Sequence, residues 1–251
     1  MNDRPVLFDA IPFGAAERTR LDSDGQVLLP GILSAGACRS LTDSLTHIQS
    51  LLPGDEDHRP NHYSAEYDRY LASLIDHPQM LDLARRILGE EIRYDHCVSL
   101  NRPGGNGGIR WHSHAYSEED AGLGFVRIFF YVNGFARGDG NLKVIPGSHL
   151  FRDRSIEAAD DEALRSGWMN GRSHPETGEP LQIEELEAPP GSVALMWTHA
   201  AHGVNARLPG SDTRWTVVYA YRNPGAESRA RWLTPEFEAT AGVPQNLMSL
   251  Y

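Results

Sequence analysis

Ile92-Arg93-Tyr94-Asp95-His96-Cys97-Val98-Ser99-Leu100 is the stretch at which the pattern of this chain changes. Ile92, Tyr94, His96, Val98 and Leu100 alternate with Arg93, Asp95, Cys97 and Ser99. Successive side chains of a strand point to opposite faces, so this period of two predicts a half-buried β-strand. Downstream, Phe125–Val132, Leu142–Ile145, Ser192–Trp197 and Trp215–Tyr221 are short runs rich in aromatic and β-branched residues. Turns such as Pro189-Pro190-Gly191 separate them, which is the spelling of many short strands. The more polar stretch 152–188 interrupts the series and reads as an insertion with a helix near Ile156–Arg165. Gly167, Gly171 and Gly178 offer it hinge points, and a lid over a pocket is the expectation.

Upstream of residue 90 the period is helical. Ser34 is a good N-cap, followed by Ala37, Cys38, Leu41, Leu45, Ile48 and Leu52 at helical spacing, and Pro53-Gly54 ends that helix. Asp55–His62 reads as a loop and Ala65–Ile75 as a short helix. Asp76 reads as the cap of a clearer helix carrying Met80, Leu81, Ala84, Ile87 and Leu88, stopped by Gly89. The first 33 residues read as an irregular lead-in with a short strand at Gln26–Leu29. Helices first and short strands after them make an α+β chain with an all-β core of sandwich or jelly-roll type. A single domain suffices: a helical part over about 1–90, a β core over about 91–225 and a tail over 226–251.

Composition limits the function classes. The chain has 251 residues, 40% hydrophobic and 23% charged, which excludes a disordered chain, a collagen-like repeat and a coiled coil. Its net charge of −11 argues against a broad basic surface for nucleic acid or an anionic membrane. Two cysteines, Cys38 and Cys97, make no disulfide framework, and reduced thiols in the cytoplasm are expected. The opening MNDRPVLFDAIPFG lacks the apolar region of a signal peptide, and no run approaches the roughly 18–20 apolar residues of a membrane span.

Four groups of residues can carry chemistry. In Arg110-Trp111-His112-Ser113-His114-Ala115-Tyr116, two histidines two apart on a strand face one side, and converging neutral imidazoles suit a divalent transition metal. Two exposed loop histidines beside a Gly-rich turn would share that spelling. Trp197-Thr198-His199-Ala200-Ala201-His202 offers a remote third histidine, or a loop histidine bonded to backbone. Gly140-Asn141-Leu142-Lys143-Val144-Ile145-Pro146-Gly147-Ser148-His149 is a strand ending in a Pro-Gly turn. Arg214 opens the last strand, and an arginine entering a β core needs an anionic partner, either a bound carboxylate or one of the 34 acidic side chains.

Taken in order along the chain, these groups resemble the phytanoyl-CoA dioxygenase family of iron(II)- and 2-oxoglutarate-dependent oxygenases. The family shows an H-x-D pair after a strand, a G-x-L-x-V-I-P-G-S-H segment, a remote histidine and an arginine about a dozen residues later. Here these are His112-Ser113-His114, Gly140–His149, His202 and Arg214, with His202 twelve residues before Arg214 and His199 fitting less well. The resemblance implies a double-stranded β-helix, the jelly-roll or cupin-like core, with the N-terminal helices packed outside. It also implies iron(II) at His112, His114 and His202, with Arg214 on the distal carboxylate of 2-oxoglutarate. Asn101-Arg102-Pro103 resembles an N-K-P segment of some relatives, which carries Arg102 over as a second co-substrate contact. His149, Trp111 and Tyr116 are pocket-lining candidates, as is the aromatic set Tyr94, Trp111, Phe129, Tyr131, Trp197 and Tyr219.

The chain departs from the family at its acidic ligand, because His114 stands where Asp is usual. An imidazole leaves the iron one charge unit more positive than a carboxylate does. Three readings follow: a working three-histidine iron site, a site that prefers another metal such as zinc, or a non-catalytic relative, a pseudoenzyme or partner subunit. Glu118, Glu119 and Asp120 are the nearest carboxylates that would replace the missing one. The leading expectation is a 2-oxoglutarate-dependent dioxygenase that hydroxylates a small organic substrate with O2.

Overall fold

The chain was analysed as a computed structural model, which describes residues 4–52, 59–114, 123–153, 155–227 and 231–251. Tyr116, Glu118, Glu119 and Asp120 lie outside the described residues. The helical part comprises α1 (Ala15–Asp24), α2 (Ala35–Ser50), α3 (Arg59–His62), α4 (Ser64–Tyr67), α5 (Arg69–Leu74) and α6 (Pro78–Leu88), with β1 (Gln26–Leu29) between α1 and α2. The strands that follow are β2 (Arg93–Ser99), β3 (Ile109–His112), β4 (Phe125–Tyr131) and β5 (Leu142–Val144). After α7 (Asp161–Ser166) come β6 (Glu184–Glu185), β7 (Ser192–Trp197), β8 (His202–Val204) and β9 (Thr216–Arg222), then α8 (Pro235–Thr240) and α9 (Gln245–Met248). None of the described helices is long and apolar enough to cross a membrane.

Two antiparallel sheets form the jelly-roll core. The larger runs β1-β7-β4-β9-β2 and the smaller β3-β8-β5-β6. The period of two in β4 and β9 divides their side chains between two environments. Val126, Ile128 and Phe130 of β4, with Val217, Tyr219 and Tyr221 of β9, pack outward against Leu41, Leu45, Leu71, Leu74 and Leu83 of the helices. Tyr219 and Tyr221 donate their hydroxyls to the carbonyls of Leu71 and Ile75, so each buried phenol is satisfied while tying the helical layer to the sheet. Arg127, Phe129 and Tyr131, with Thr216 and Val218, face the space between the sheets.

The strands over Gln26–Leu29 and Ser192–Trp197 form as the sequence predicts. Ser34 caps α2, its Oγ accepting from the amide of Ala37. Several expectations need correction. The lead-in contains α1, whose sequence AAERTRLDSD buries only Leu21 and so shows no apolar stripe. The helix expected over Ala65–Ile75 is two, because Asp68 leaves helical geometry to cap α5 through Leu71. The cap of α6 is His77, with Pro78 in the first turn, and Asp76 instead pairs with Arg4. β2 is buried on both faces, since a bulge between Tyr94 and His96 breaks the alternation and its charged residues are enclosed in a buried network.

The insertion packs along β3 through the Trp111–Ala158 bridge, and its Glu157, Ala158 and Ala159 line a surface pocket beside His112. Ile156, Leu164, Met169 and Leu181 form a small core with Trp111, Ile145 and Ala201. His174 reaches Ser23 of α1, its ring Nε2 donating to the carbonyl at 3.1 Å. None of the described residues of 152–188 lines the cavity between the sheets.

Candidate metal and co-substrate site

The space between the sheets is a cavity of about 170 Å³. Its walls are apolar along the middle, through Val98, Leu100, Phe129, Leu142, Val204 and Val218, and polar towards two ends. Arg127 and Tyr131 mark those ends on β4; four residues of strand separate them by about 13 Å.

At the first end stand His112, His114 and His202. One ring nitrogen from each lies within 4.8 Å of those of the other two. His112 and His202 are direct partners in the β3–β8 register, which puts their rings side by side with centroids 4.2 Å apart. β3 ends at His112, so His114 is not held by strand geometry; its amide bonds instead to the carbonyl of Thr198 at 3.1 Å. The His-x-His spacing therefore converges for a different reason than strand alternation alone.

Two of the rings are set for a metal by backbone. Nδ1 of His112 donates to the carbonyl of Arg110 at 2.9 Å, and Nδ1 of His202 to that of Ala200 at 3.0 Å. Each bond fixes the tautomer and leaves Nε2 with its lone pair, the usual outer-shell arrangement for a metal-bound histidine. Burial first of all, with the Arg127 cation adding to it, pushes both rings to protonate below their ordinary value. Neutral imidazoles with free Nε2 atoms are a donor set that fits a divalent transition metal. His114 differs: its Nε2 accepts from Nη1 of Arg127 at 2.8 Å. Burial and then Arg127 push its protonation well down.

The Pro-Gly-Ser-His segment supports this end from behind. Ser148 Oγ accepts from the amide of Ala201 at 2.9 Å, next to His202. Gly147 has φ +77 and a Cβ there would lie 2.3 Å from the His174 ring, so glycine is required. His149 does not line the cavity; its Nε2 donates to the Asp22 carbonyl at 2.9 Å. Trp111 does not line it either, since its Nε1 donates to Asp161 beneath α7. Of the aromatic set expected to shape a pocket, Phe129 and Tyr131 line it, while Tyr94 and Tyr219 belong to the helix-facing core. His199 sits in a second cavity with His149, Arg18 and Trp197.

At the other end Arg214 and Arg102 are cross-strand neighbours whose backbones bond reciprocally at 2.8 and 3.0 Å. Arg214 is 3% exposed. Its guanidinium donates to the carbonyls of Gly134, Asp139 and Gly140. Burial, and then Arg207, lower its pKa to about 10, so it remains a cation at neutral pH. Among the described residues no carboxylate pairs with it; Asp139 Oδ2 accepts from Arg207 Nη1 at 2.8 Å. Gly140 has φ +63, and a Cβ there would come within 2.9 Å of Arg214 Nη1. Arg102 donates to the Gly107 carbonyl and keeps a buried Nε without a partner. Three guanidinium groups with one carboxylate leave this end positive and fit an anionic ligand.

Residues 21–214 match the phytanoyl-CoA dioxygenase (PhyH) family. The chain belongs to that family. A curated relative, a probable alpha-ketoglutarate-dependent hypophosphite dioxygenase of Stutzerimonas stutzeri, is 25% identical over 140 residues, covering 52% of this chain and 46% of that protein. The chain thus spans about half the length of the curated relative it matches. Solved structures share the jelly-roll fold at low identity. EctD from S. alaskensis with bound Fe superposes with TM-score 0.65 at 20% identity, over 96% of this chain and 88% of that one. HygX from Streptomyces hygroscopicus with nickel, 2-oxoglutarate and hygromycin B gives TM-score 0.62 at 14% identity, over 83% and 87%. The non-heme alpha ketoglutarate dependent epimerase SnoN gives 0.61 at 16%, over 92% and 87%.

Among the cavity residues that sequence reasoning missed are Arg127, His62 and Trp232. Arg127 lies at the same strand phase as Phe129 and Tyr131, and a charge on that phase of an aromatic run was the available signal. His62 of α3 and Trp232 of the C-terminal segment stack at 4.5 Å on the cavity wall, and no periodicity marks either.

Proposed function

We propose that this chain is an iron(II)- and 2-oxoglutarate-dependent oxygenase acting on a small organic substrate, with hydroxylation as the default outcome. The observation that carries the reading is the pairing of two backbone-set imidazoles, His112 and His202, with a carboxylate-free buried arginine, Arg214, across one apolar cavity. His112, His202 and His114 would hold the metal. Arg214, assisted by Arg102, would hold the far carboxylate of the co-substrate. Iron(II) with 2-oxoglutarate, when bound, would supply the oxidising chemistry with O2.

The residues of the chain bind, orient and exclude water. The guanidinium of Arg214 is pre-positioned by three carbonyls, so little ordering remains to be done when an anion arrives. Phe129, Leu142 and Val218 keep the space between the two ends dry. Trp232 and His62 stack on the cavity wall and are the residues we assign to the substrate side. The helical part, the core and the C-terminal segment act as one unit, since His62, the strands and Trp232 all contribute to one cavity.

An anaerobic visible absorption titration tests the reading. Metal-free protein receives iron(II) and then 2-oxoglutarate. A charge-transfer band that needs both is the expected result. Metal bound without that band would instead favour the zinc-binding or non-catalytic reading.

A further inference from the structure

We propose that Arg127 competes with the metal for the Nε2 lone pair of His114, so that the third imidazole ligates only when that hydrogen bond is broken. The inference rests on the metal-site reading above.

The argument is one of counting donors and lone pairs. An arginine side chain can only donate, so Nε2 of His114, 2.8 Å from Arg127 Nη1, must accept. A neutral imidazole has one ring lone pair of this kind; its other nitrogen then carries the proton. His114 held by Arg127 therefore has no nitrogen left for a metal, whichever way its ring faces. His112 and His202 are unlike it, because their backbone acceptors take the Nδ1 proton and free Nε2.

Arg127 is also anchored from behind. Its Nη2 donates to Nε2 of His96 at 3.4 Å, and Nδ1 of His96 donates to Asp95 at 2.7 Å. Asp95 in turn lies 3.6 Å from Arg222. Asp95, His96 and Arg222 are fully buried, on the two adjacent strands β2 and β9. The guanidinium is thus part of the sheet's fixed interior, whereas His114 lies beyond the end of β3. The ring is the partner that turns. A carboxylate in place of His114 would face no such conflict, since its two oxygens offer about four lone-pair sites and can accept from Arg127 while ligating. The change from Asp to His at this position converts a shared contact into an exclusive one.

The test measures zinc(II) affinity by competition with a chromophoric chelator for the wild-type protein, Arg127→Met, His114→Ala and the double variant. Thermal melts confirm folding. Arg127→Met should bind zinc about tenfold or more tightly than wild type, and most of that gain should vanish in the His114→Ala background. No gain, or an equal gain in both backgrounds, would overturn the proposal, the second by showing simple charge repulsion. Failure of every protein, wild type included, to bind zinc would remove the metal-site reading itself, a result separate from the other two. Should Arg127→Met not fold, the wild-type protein answers by ¹⁵N NMR. Slow exchange of the Arg127 guanidinium in metal-free protein should be lost on zinc loading. Retained protection alongside metal-shifted nitrogens on all three histidines would refute the competition.

Discussion

Two buried arginines mark the two ends of the cavity, and they are held in opposite ways. Arg214 rests on three main-chain carbonyls contributed by the Gly134–Gly140 turn. Among the described residues, Arg127 donates to two imidazoles, those of His114 and His96. A carbonyl oxygen has two lone pairs, and that of Asp139 accepts from Arg207 as well, so Arg214 stays poised for an anion without drawing on any metal ligand. Imidazoles offer one lone pair each, so what holds Arg127 is the same resource a metal needs. A cation fixed by backbone is a ready-made site; a cation fixed by ligand side chains is a rival for them.

The comparison breaks most visibly at the histidine end. His202→Ala should weaken iron(II) binding by roughly a hundredfold or more, given that even outer-shell losses cost 10–100-fold; an anaerobic metal titration reads it. Retention of wild-type affinity would detach the histidine cluster from metal binding. At the other end, Arg214→Ala should lower 2-oxoglutarate affinity by about a hundredfold in calorimetry on the metal-loaded protein, as two charge-assisted hydrogen bonds are lost. A lower melting temperature with unchanged affinity would make Arg214 a structural brace.

A third contrast sets the cavity against histidines buried elsewhere. Burial lowers the pKa values of His149 and His199 to about 4. Unfolded, each protonates near its ordinary pKa of about 6.5, so below that value the unfolded state binds more protons than the folded one. Stability is therefore full above pH 6.5 and is lost as pH falls towards 4. Each histidine should contribute roughly 1.5 kcal/mol of that loss between pH 6.5 and 5. Thermal melts at the two pH values check it, and His149→Gln should flatten the slope. The smallest effect is expected at Arg102, whose Nε is buried without a partner but whose position is peripheral to the carbonyl cradle. Arg102→Ala should weaken 2-oxoglutarate less than tenfold; a loss matching that of Arg214→Ala would make the two arginines a single clamp.

What could be read from the sequence follows from where a signal is local. β1 and β7 are bounded by turns and carry apolar runs, so their limits are legible. His112, His202 and Arg214 stand in spelled motifs, and the fold brings the two histidines into direct register. α1 was illegible because one buried leucine makes no stripe. The double burial of β2 is not legible because Arg93 and Asp95 fall on the phase that reads as exposed, while the partner of Asp95, Arg222, lies on another strand. Arg127 hid in a run that its neighbours made look purely structural, and Trp232 enters the cavity from a segment with no periodic pattern at all.

All three histidines of the cluster belong to the smaller sheet's side, and His112 sits on β3, a four-residue strand at that sheet's edge. β3 pairs with β8 on one side and, at Trp111 alone, with Ala158 on the other, so it opens at low cost compared with the doubly paired β4 or β9. An ion held jointly by His112 and His202 would rivet that edge to β8. Metal occupancy would then be written into the molecule's opening fluctuations, with slower amide exchange over Ile109–His112 than in the empty protein, even though the larger sheet behind it would not change.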